Sequence, residues 1–572
     1  MDPISKAFSE AYARLTAAGS PWELGEAIVD GRRYKAFRNA PASMREIFAP
    51  GRSHGAKEFL VYEGERWSYD RLFALADALG NALHHGAGVV PGQRVAIAMR
   101  NYPEWMAAFI GIGSIGAVAV PLNSWGRTEE LEYGLRDCGA AHVLCDTQRL
   151  TLLAGRLEGI GLEAIVARHD GSPLPARARA LEDFVAPWRG QPLPEVSVAL
   201  DDPALMLYTS GTTGKPKGAL STQRALGQAV SCFECSAYAT AMANPETIAA
   251  MMQSGFEPTM LLAYPLFHVS GLHASFLGAL RGGRRIVMMY KWDAERALEY
   301  IQSERVTTFS GSPSMVLELL EHPRFRDYDT TSLSSLGAGG SATPARATKL
   351  MYERVSNPMP GTGWGMTETN AIGSSFAGKG FIHRIGSSGF IQPIVELRIL
   401  DEDGEEMPPG QPGMIWVKSI SLVSGYWNRP DATEKEFRDG WFNSGDIGYL
   451  DADGYLFLTD RAKDMVIRGG ENVYPLEIES TLMNHPEVVE VAAFGVPDEK
   501  MGEEVGMLVR RAADSSLGES DVRAWLGERL APFKVPRHIR FAAEPLPRNA
   551  MQKLLKKDIR AAFLSELHGS GG

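Results

Sequence analysis

The sequence predicts an α/β protein: a large N-terminal domain of two stacked α/β layers plus a small β-barrel-like subdomain, followed by a smaller, mobile α+β C-terminal domain. Three observations carry this. Helical patterns alternate with short apolar strand candidates over about 60–200 and again over about 204–370, as parallel sheets covered by helices require. Between 385 and 460 the texture changes to short strands punctuated by Asp403-Gly404, Pro408-Pro409-Gly410, Asp439-Gly440 and Asp453-Gly454. A charged run over 459–470 ends in Gly469-Gly470, which suits a boundary, and a compact set of helices and strands follows it.

Taken in order, residues 1–50 read as an N-terminal extension, with one amphipathic helix over 7–17 and a Gly- and Pro-rich loop around 19–42. The first α/β set has a helix over 69–85 and strands over 94–98 and 141–144. Residues 105–122 carry no charge, but three glycines, a serine and the closing Ala117-Val118-Ala119-Val120-Pro121-Leu122 fit a buried helix running into a parallel strand better than a membrane span. Within it, Gly111-Ile112-Gly113-Ser114-Ile115-Gly116 matches GxGxxG in form. It precedes its strand instead of following one, so packing is the expected role, not dinucleotide binding. The second set has strands over 261–263 and 285–289. Domain bounds are therefore expected at 51–460 and 464–572, with a hinge near 461–464. In the last domain, helices are expected over 475–483 and 520–530, with strands over 488–494 and 505–509.

Composition narrows the function classes. The 572 residues carry 58 basic against 69 acidic side chains, a net charge of -11, so there is no basic footprint for nucleic acid. The first residues lack the basic and apolar regions of a secretory signal, and a cytoplasmic enzyme without stable membrane insertion is expected. Cys232 and Cys235 form a CxxC, but Cys138 and Cys145 do not supply a second ligand pair at zinc spacing; all four read as free buried thiols.

The chemistry is concentrated in Tyr208-Thr209-Ser210-Gly211-Thr212-Thr213-Gly214-Lys215-Pro216-Lys217-Gly218. Glycines let backbone N–H groups turn inward, hydroxyls add donors and the lysines add positive charge, so the run suits a triphosphate. No Gly-Lys-Ser/Thr follows at the Walker offset, which argues against a P-loop NTPase. Five further blocks follow in order: Gly337-Ala338-Gly339-Gly340-Ser341; Gly363-Trp364-Gly365-Met366-Thr367-Glu368-Thr369; Trp441-Phe442-Asn443-Ser444-Gly445-Asp446; Asp460-Arg461-Ala462-Lys463-Asp464 with Gly469-Gly470-Glu471-Asn472; and Pro547-Arg548-Asn549-Ala550-Met551-Gln552-Lys553. With these blocks the chain resembles the adenylate-forming superfamily, in its acyl-CoA synthetase branch, over about residues 50–560.

The resemblance implies ATP, Mg2+ and coenzyme A as co-substrates of a small carboxylic acid. Thr209, Ser210, Gly211, Thr212, Thr213, Gly214 and Lys217 would hold the triphosphate, and Gly339, Gly340, Ser341 and Trp364 the adenine. Asp446 with Arg461 would hold the ribose, Thr367 the α-phosphate, and Glu368 the Mg2+. Lys553 matches the lysine that contacts the substrate carboxylate and phosphate during adenylation, although Gln552 stands where the family has Gly. Lys463 falls at the hinge, where a swing would withdraw Lys553 and bring Gly469 and Gly470 toward a pantetheine arm. His268 borders the acyl pocket and positions the carboxylate. The resemblance places that pocket around about 232–276 and 311–372; in the first stretch Met242, Met251, Met252, Met260, Leu261, Leu262, Phe267, Leu272 and Phe276 favour a medium or long fatty acid, with aryl and arylpropenoic acids close behind, although ordinary core packing explains these side chains almost as well. Two rivals stay open: transfer to an amine or carrier protein, and a non-catalytic nucleotide-binding protein. The oligomeric state is open as well, a homodimer being one option.

Overall fold

The computed structural model describes residues 2–209, 215–339, 343–550 and 552–569. Its N-terminal stretch corrects one expectation. Helix α1 (Pro3–Leu15) is capped by Asp2, whose carboxylate accepts from the Ile4 and Ser5 amides at 2.8 Å each. The segment expected as loop then forms an antiparallel hairpin of β1 (Leu24–Val29) and β2 (Arg32–Phe37). Asp30 and Gly31 turn it with φ of 49° and 74°, the backbone that makes Asp-Gly a hairpin signal. Phe8 and Ala11 bury against Ala239, Phe376 and Tyr455, while Ala36 and Phe37 bury against Cys232, Trp364 and Phe442.

The first layer is a sheet built from β3 (Arg94–Ala98), β4 (Val118–Pro121), β5 (His142–Asp146), β6 (Glu163–Ala167), β7 (Ala178–Ala180), β8 (Pro203–Thr209) and β9 (Lys217–Thr222). Its order is β9-β8-β4-β3-β5-β6-β7, parallel except at the β8–β9 pair. Val95, Ala96, Ile97, Val118 and Val120 are wholly buried, which explains strands with no polar alternation. The uncharged run is the buried helix α2 (Pro103–Ser114) leading into β4. A Cβ on Gly111 would meet the Ala76 carbonyl oxygen at 2.7 Å, so this glycine serves close packing against the Tyr69–Asn81 helix. Among the described residues no helix is long and apolar enough to cross a membrane. All four cysteine thiols are free and buried.

Helix α3 (Gln223–Ala243) follows β9 and is capped by Thr222, whose hydroxyl accepts from the Ala225 amide at 3.1 Å. The second sheet has 14 strands among the described residues. It runs parallel through β10 (Ser335–Ala338) and β11 (Met359–Trp364) and turns antiparallel at β12 (Ser374–Ala377) and β13 (Ser387–Ile391). The β subdomain, which includes β14 (Trp441–Leu450) and β15 (Tyr455–Arg461), continues this sheet to an edge at Val395–Leu400. The C-terminal α+β domain packs α4 (Pro475–Leu482), α5 (Glu519–Gly527) and α6 (Lys556–Gly569) around a five-stranded sheet centred on β16 (Val488–Asp498) and β17 (Gly502–Arg511).

Candidate active site

A continuous cleft of ≈ 2710 Å³ separates the large domain from the C-terminal domain, and residues of both line it. Lys553 enters from the C-terminal side on a short turn. The Asn549 side-chain oxygen accepts from the Lys553 amide at 3.0 Å, the Lys553 carbonyl accepts from the Asn549 amide at 2.9 Å, and Arg548 anchors the turn on Glu490 with bonds of 3.0 and 2.6 Å. Gln552 sits in this turn at φ 61°, a left-handed conformation that glycine adopts without strain. That is the physical meaning of the departure from the family's Gly at this position. The Lys553 ammonium makes no hydrogen bond or ion pair among the described residues. Burial, then the nearby Arg461 and Lys463 cations, push its pKa down to about 8, with Asp446 acting in the opposite sense.

Asp446 and Arg461 stand directly opposite each other on β14 and β15, with Arg461 Nε 3.1 Å from Asp446 Oδ1. The other carboxylate oxygen accepts from Trp364 Nε1 at 2.7 Å. Trp364 is only 6% exposed, so its indole orients Asp446 as well as lining the cleft. Ser444 braces this pair: it accepts from the Asp446 amide at 3.1 Å and donates to the Ile415 carbonyl at 2.7 Å.

Thr367 and Glu368 lie on a single 3-10 turn just beyond β11, and both line the cleft. Two residues not expected from the sequence join them. The Tyr426 hydroxyl lies 2.8 Å from Glu368 Oε1 and 2.5 Å from Glu436 Oε2, and Lys217 Nζ pairs with Glu436 Oε1 at 2.8 Å while sitting 4.0 Å from the Tyr426 ring centre. Lys217, expected to face a triphosphate, is thus engaged by a carboxylate. Burial raises the Glu368 pKa, and the Tyr426 hydrogen bond opposes that. A buried carboxylate beside a threonine hydroxyl is a hard-oxygen donor set that fits Mg2+ bound mainly through phosphates. Among the described residues no group of three or more His, Cys, Asp or Glu side chains could hold a metal without such help.

His268 reaches the same space. Its Nδ1 accepts from the Ser270 amide at 3.3 Å, leaving the proton on Nε2. Burial, then Lys553 and His273, push its pKa down to about 3, so the ring is a neutral donor. Thr209 and Gly339 also line the cleft, the latter with its carbonyl accepting from the Tyr264 hydroxyl at 3.1 Å. Ser210, Gly211, Thr212, Thr213, Gly214, Gly340 and Ser341 lie outside the described residues.

Lys463 lines the cleft and is exposed, two residues past the end of β15. Gly469 and Gly470 do not reach the cleft. They form the exposed turn between strands Val466–Arg468 and Glu471–Val473, at φ 59° and 88°. The structure therefore holds Lys553 in and the glycine turn out.

The expected acyl lining is largely corrected. Met242 and Met252 are exposed at 37% and 79%, and Leu261, Leu262, Leu272 and Phe276 belong to the core. Of that set only Met260 and Phe267 line the cleft. One face of α3 takes the place of the others: Phe233, Ser236, Ala237 and Thr240, at helical i, i+3, i+4, i+7 spacing, face Thr362, Gly363 and Ser375 of β11 and β12.

Comparison with known proteins bears on this geometry. Residues 48–427 match the family model of the AMP-binding enzymes, and residues 477–553 match that of the AMP-binding enzyme C-terminal domain. A feruloyl-CoA synthase from an Amycolatopsis species is 36% identical over 506 residues, covering 87% of this chain and 94% of that protein. The long-chain-fatty-acid–CoA ligase FadD13 of Mycobacterium tuberculosis is 32% identical over 500 residues, covering 87% and 93%. The crystal structure of ATP-bound MatB from Rhodopseudomonas palustris superposes with a TM-score of 0.78 at 30% identity, covering 92% of this chain and 99% of that one.

Proposed function

The chain belongs to the AMP-binding enzyme family and is an AMP-forming acid–CoA ligase, and from that premise we propose that it activates a hydrophobic carboxylic acid with Mg-ATP in the Lys553 cleft and passes the acyl group to the thiol of coenzyme A. The observation that carries the reading is the Lys553 ammonium, unpaired among the described residues and held beside Asp446 and His268 in a space shared by two domains.

A carboxylate is a poor electrophile, so the first half-reaction makes it one. Its oxygen attacks the α-phosphorus of ATP and pyrophosphate leaves. Lys553 lowers the repulsion between the two anions and stabilises the charge that develops on the α-phosphate. His268 donates from Nε2 to the substrate carboxylate and orients it. Asp446 accepts from the ribose hydroxyls, and Thr367 donates to the α-phosphate. Glu368 would hold Mg2+ together with the phosphates of ATP, and the ion would supply further charge neutralisation. In the second half-reaction the CoA thiol attacks the adenylate carbonyl and AMP leaves. A rotation about 461–464 withdraws Lys553 and brings Gly469 and Gly470 to the cleft.

The wall of Phe233, Ala237, Phe267 and Gly363 favours a flat aryl or arylpropenoic acid over the fatty acid that the methionine-rich sequence suggested, and the feruloyl-CoA synthase similarity supports the same order. Mass spectrometry of products from Mg-ATP, CoA and a panel of aryl, fatty and branched acids tests this. AMP and an acyl-CoA are expected, with adenylation reduced about 10²–10³-fold in Lys553→Ala. Acyl adenylate without thioester would point to another acceptor, and acid-independent ATP turnover would overturn the reading.

A further inference from the structure

The N-terminal segment that precedes the family match at residue 48 bonds to a residue that lines the cleft. Tyr12 of α1 donates to Ser236 Oγ at 3.2 Å, Gln392 Nε2 donates to the same oxygen at 2.9 Å, and the Gln392 side-chain carbonyl is held by the Gly373 amide at 2.9 Å. Ser375, across the cleft on β12, also lies against the Tyr12 phenol. Ser236, Ser375 and Gln392 line the cleft, so a cluster of hydroxyl and amide groups stands there beside Phe233 and Ala237.

The donor count gives this cluster a direction. Both acceptor positions of Ser236 are filled, by Tyr12 and Gln392, so its own O–H must point elsewhere. It donates to no oxygen or nitrogen among the described residues; the neighbours left to it are the cleft and the Cys232 sulfur. Gln392 likewise keeps a second amide proton after donating to Ser236. When the Ser236 O–H turns from the Cys232 sulfur, a weak acceptor, to the cleft, two donors stand at one place beside Phe233 and Ala237 and match an acceptor oxygen on the ligand.

We propose that this cluster recognises a hydroxyl or carbonyl oxygen at the end of the acid remote from its carboxylate, and that Tyr12 is a positioning residue that fixes Ser236 for the task. The inference rests on the reading above, that the α3–β12 part of the cleft holds the acid. It gives the N-terminal helix a part in substrate selection.

The test compares matched acids that differ by one distal oxygen: p-hydroxycinnamate against cinnamate, and ω-hydroxydodecanoate against dodecanoate, by acid-dependent AMP release. The oxygenated member of at least one pair is expected to have about tenfold higher kcat/KM. Tyr12→Phe, which keeps the ring and its packing, is expected to reduce that ratio to about threefold or less with the KM for ATP unchanged, and Ser236→Ala to abolish it. Ser375→Ala is the second probe of the same ratio should either variant fail to fold. Turnover of both members of each pair at equal kcat/KM, or a ratio that Tyr12→Phe and Ser236→Ala leave intact, overturns the oxygen site while the ligase reading stands. No AMP release with any acid overturns both.

Discussion

The two ends of the chain are attached to the large domain in opposite ways. The N-terminal segment is joined by apolar burial: Phe8 and Phe37 are each 2% exposed and belong to clusters shared with α3, β12 and β14. Polar ties run along α3 as well. Phe37 exchanges two backbone bonds with the Gln228 side chain at 2.8 and 2.9 Å, and the Met44 amide donates to Gln223 at 2.8 Å. The C-terminal domain keeps its apolar clusters to itself, drawing them from residues 466–541 and 492–567 alone. It meets the rest through polar contacts such as Arg346 to the Val488 carbonyl at 3.3 Å and Asp460, whose carboxylate accepts from the Leu476 amide at the start of α4 at 2.8 Å. Apolar burial resists displacement, whereas a polar contact can be exchanged for hydrogen bonds to water at little net cost. One end is built as a wall, the other as a moving part.

Perturbing the hinge is expected to give the largest change in rate that separates the two half-reactions. Lys463→Pro fixes φ at the rotation point, and is expected to reduce thioester formation about 10²-fold while changing adenylation less than about threefold. Pyrophosphate exchange and CoA-dependent product formation measure the two steps, and equal losses in both would erase the contrast between the ends. Next comes the wall. Phe8→Ala is expected to destabilise the large domain by about 3–5 kcal/mol in urea denaturation, because the cavity lies in a cluster spanning two elements.

The third effect is on pH dependence. Because the Lys553 pKa is lowered to about 8, with Arg461, Lys463, Asp446 and the neutral His268 facing it, the ammonium is lost as pH rises through that value. Adenylation kcat/KM is expected to fall above about pH 8, and a profile flat to about pH 10 would mean an ordinary lysine. The smallest effect is at Gln552→Gly. Relief of about 1 kcal/mol of left-handed strain is opposed by a similar entropy term for glycine, so stability is expected to move less than about 0.5 kcal/mol and the adenylation rate less than about threefold.

How legible the molecule was from its sequence varied with the physics of each region. Buried parallel strands announce themselves as apolar runs, and 94–98 needed no tertiary information. Hydrophobicity does not distinguish a cleft wall from a core, so Leu261 and Phe276 fit either role from the sequence, and the structure places both in the core. The α3 wall falls inside the 232–276 stretch, but its individual residues are not singled out by hydrophobicity, because Ser236 and Thr240 are polar residues that line the cleft. Tyr426 and Glu436 escaped notice because only the fold brings them to Glu368, Tyr426 being 58 residues away along the chain. The Asp30-Gly31 hairpin was readable, since an Asp-Gly pair between strand-like residues is a local signal.

The amide of Asp2 donates to Asp453 at 3.0 Å across 451 residues of sequence, and a Cβ on Gly227 would meet the Pro41 carbonyl oxygen at 1.9 Å, so the opening segment is threaded tightly over α3. During synthesis Phe8 is made long before Tyr455, which helps to cover it. Phe8 cannot be covered by Tyr455 until nearly four-fifths of the chain exists, and for that interval an amphipathic helix stays exposed. An amphipathic helix left uncovered over that interval is an aggregation hazard, and shortening the wait is a route to a better-behaved recombinant chain.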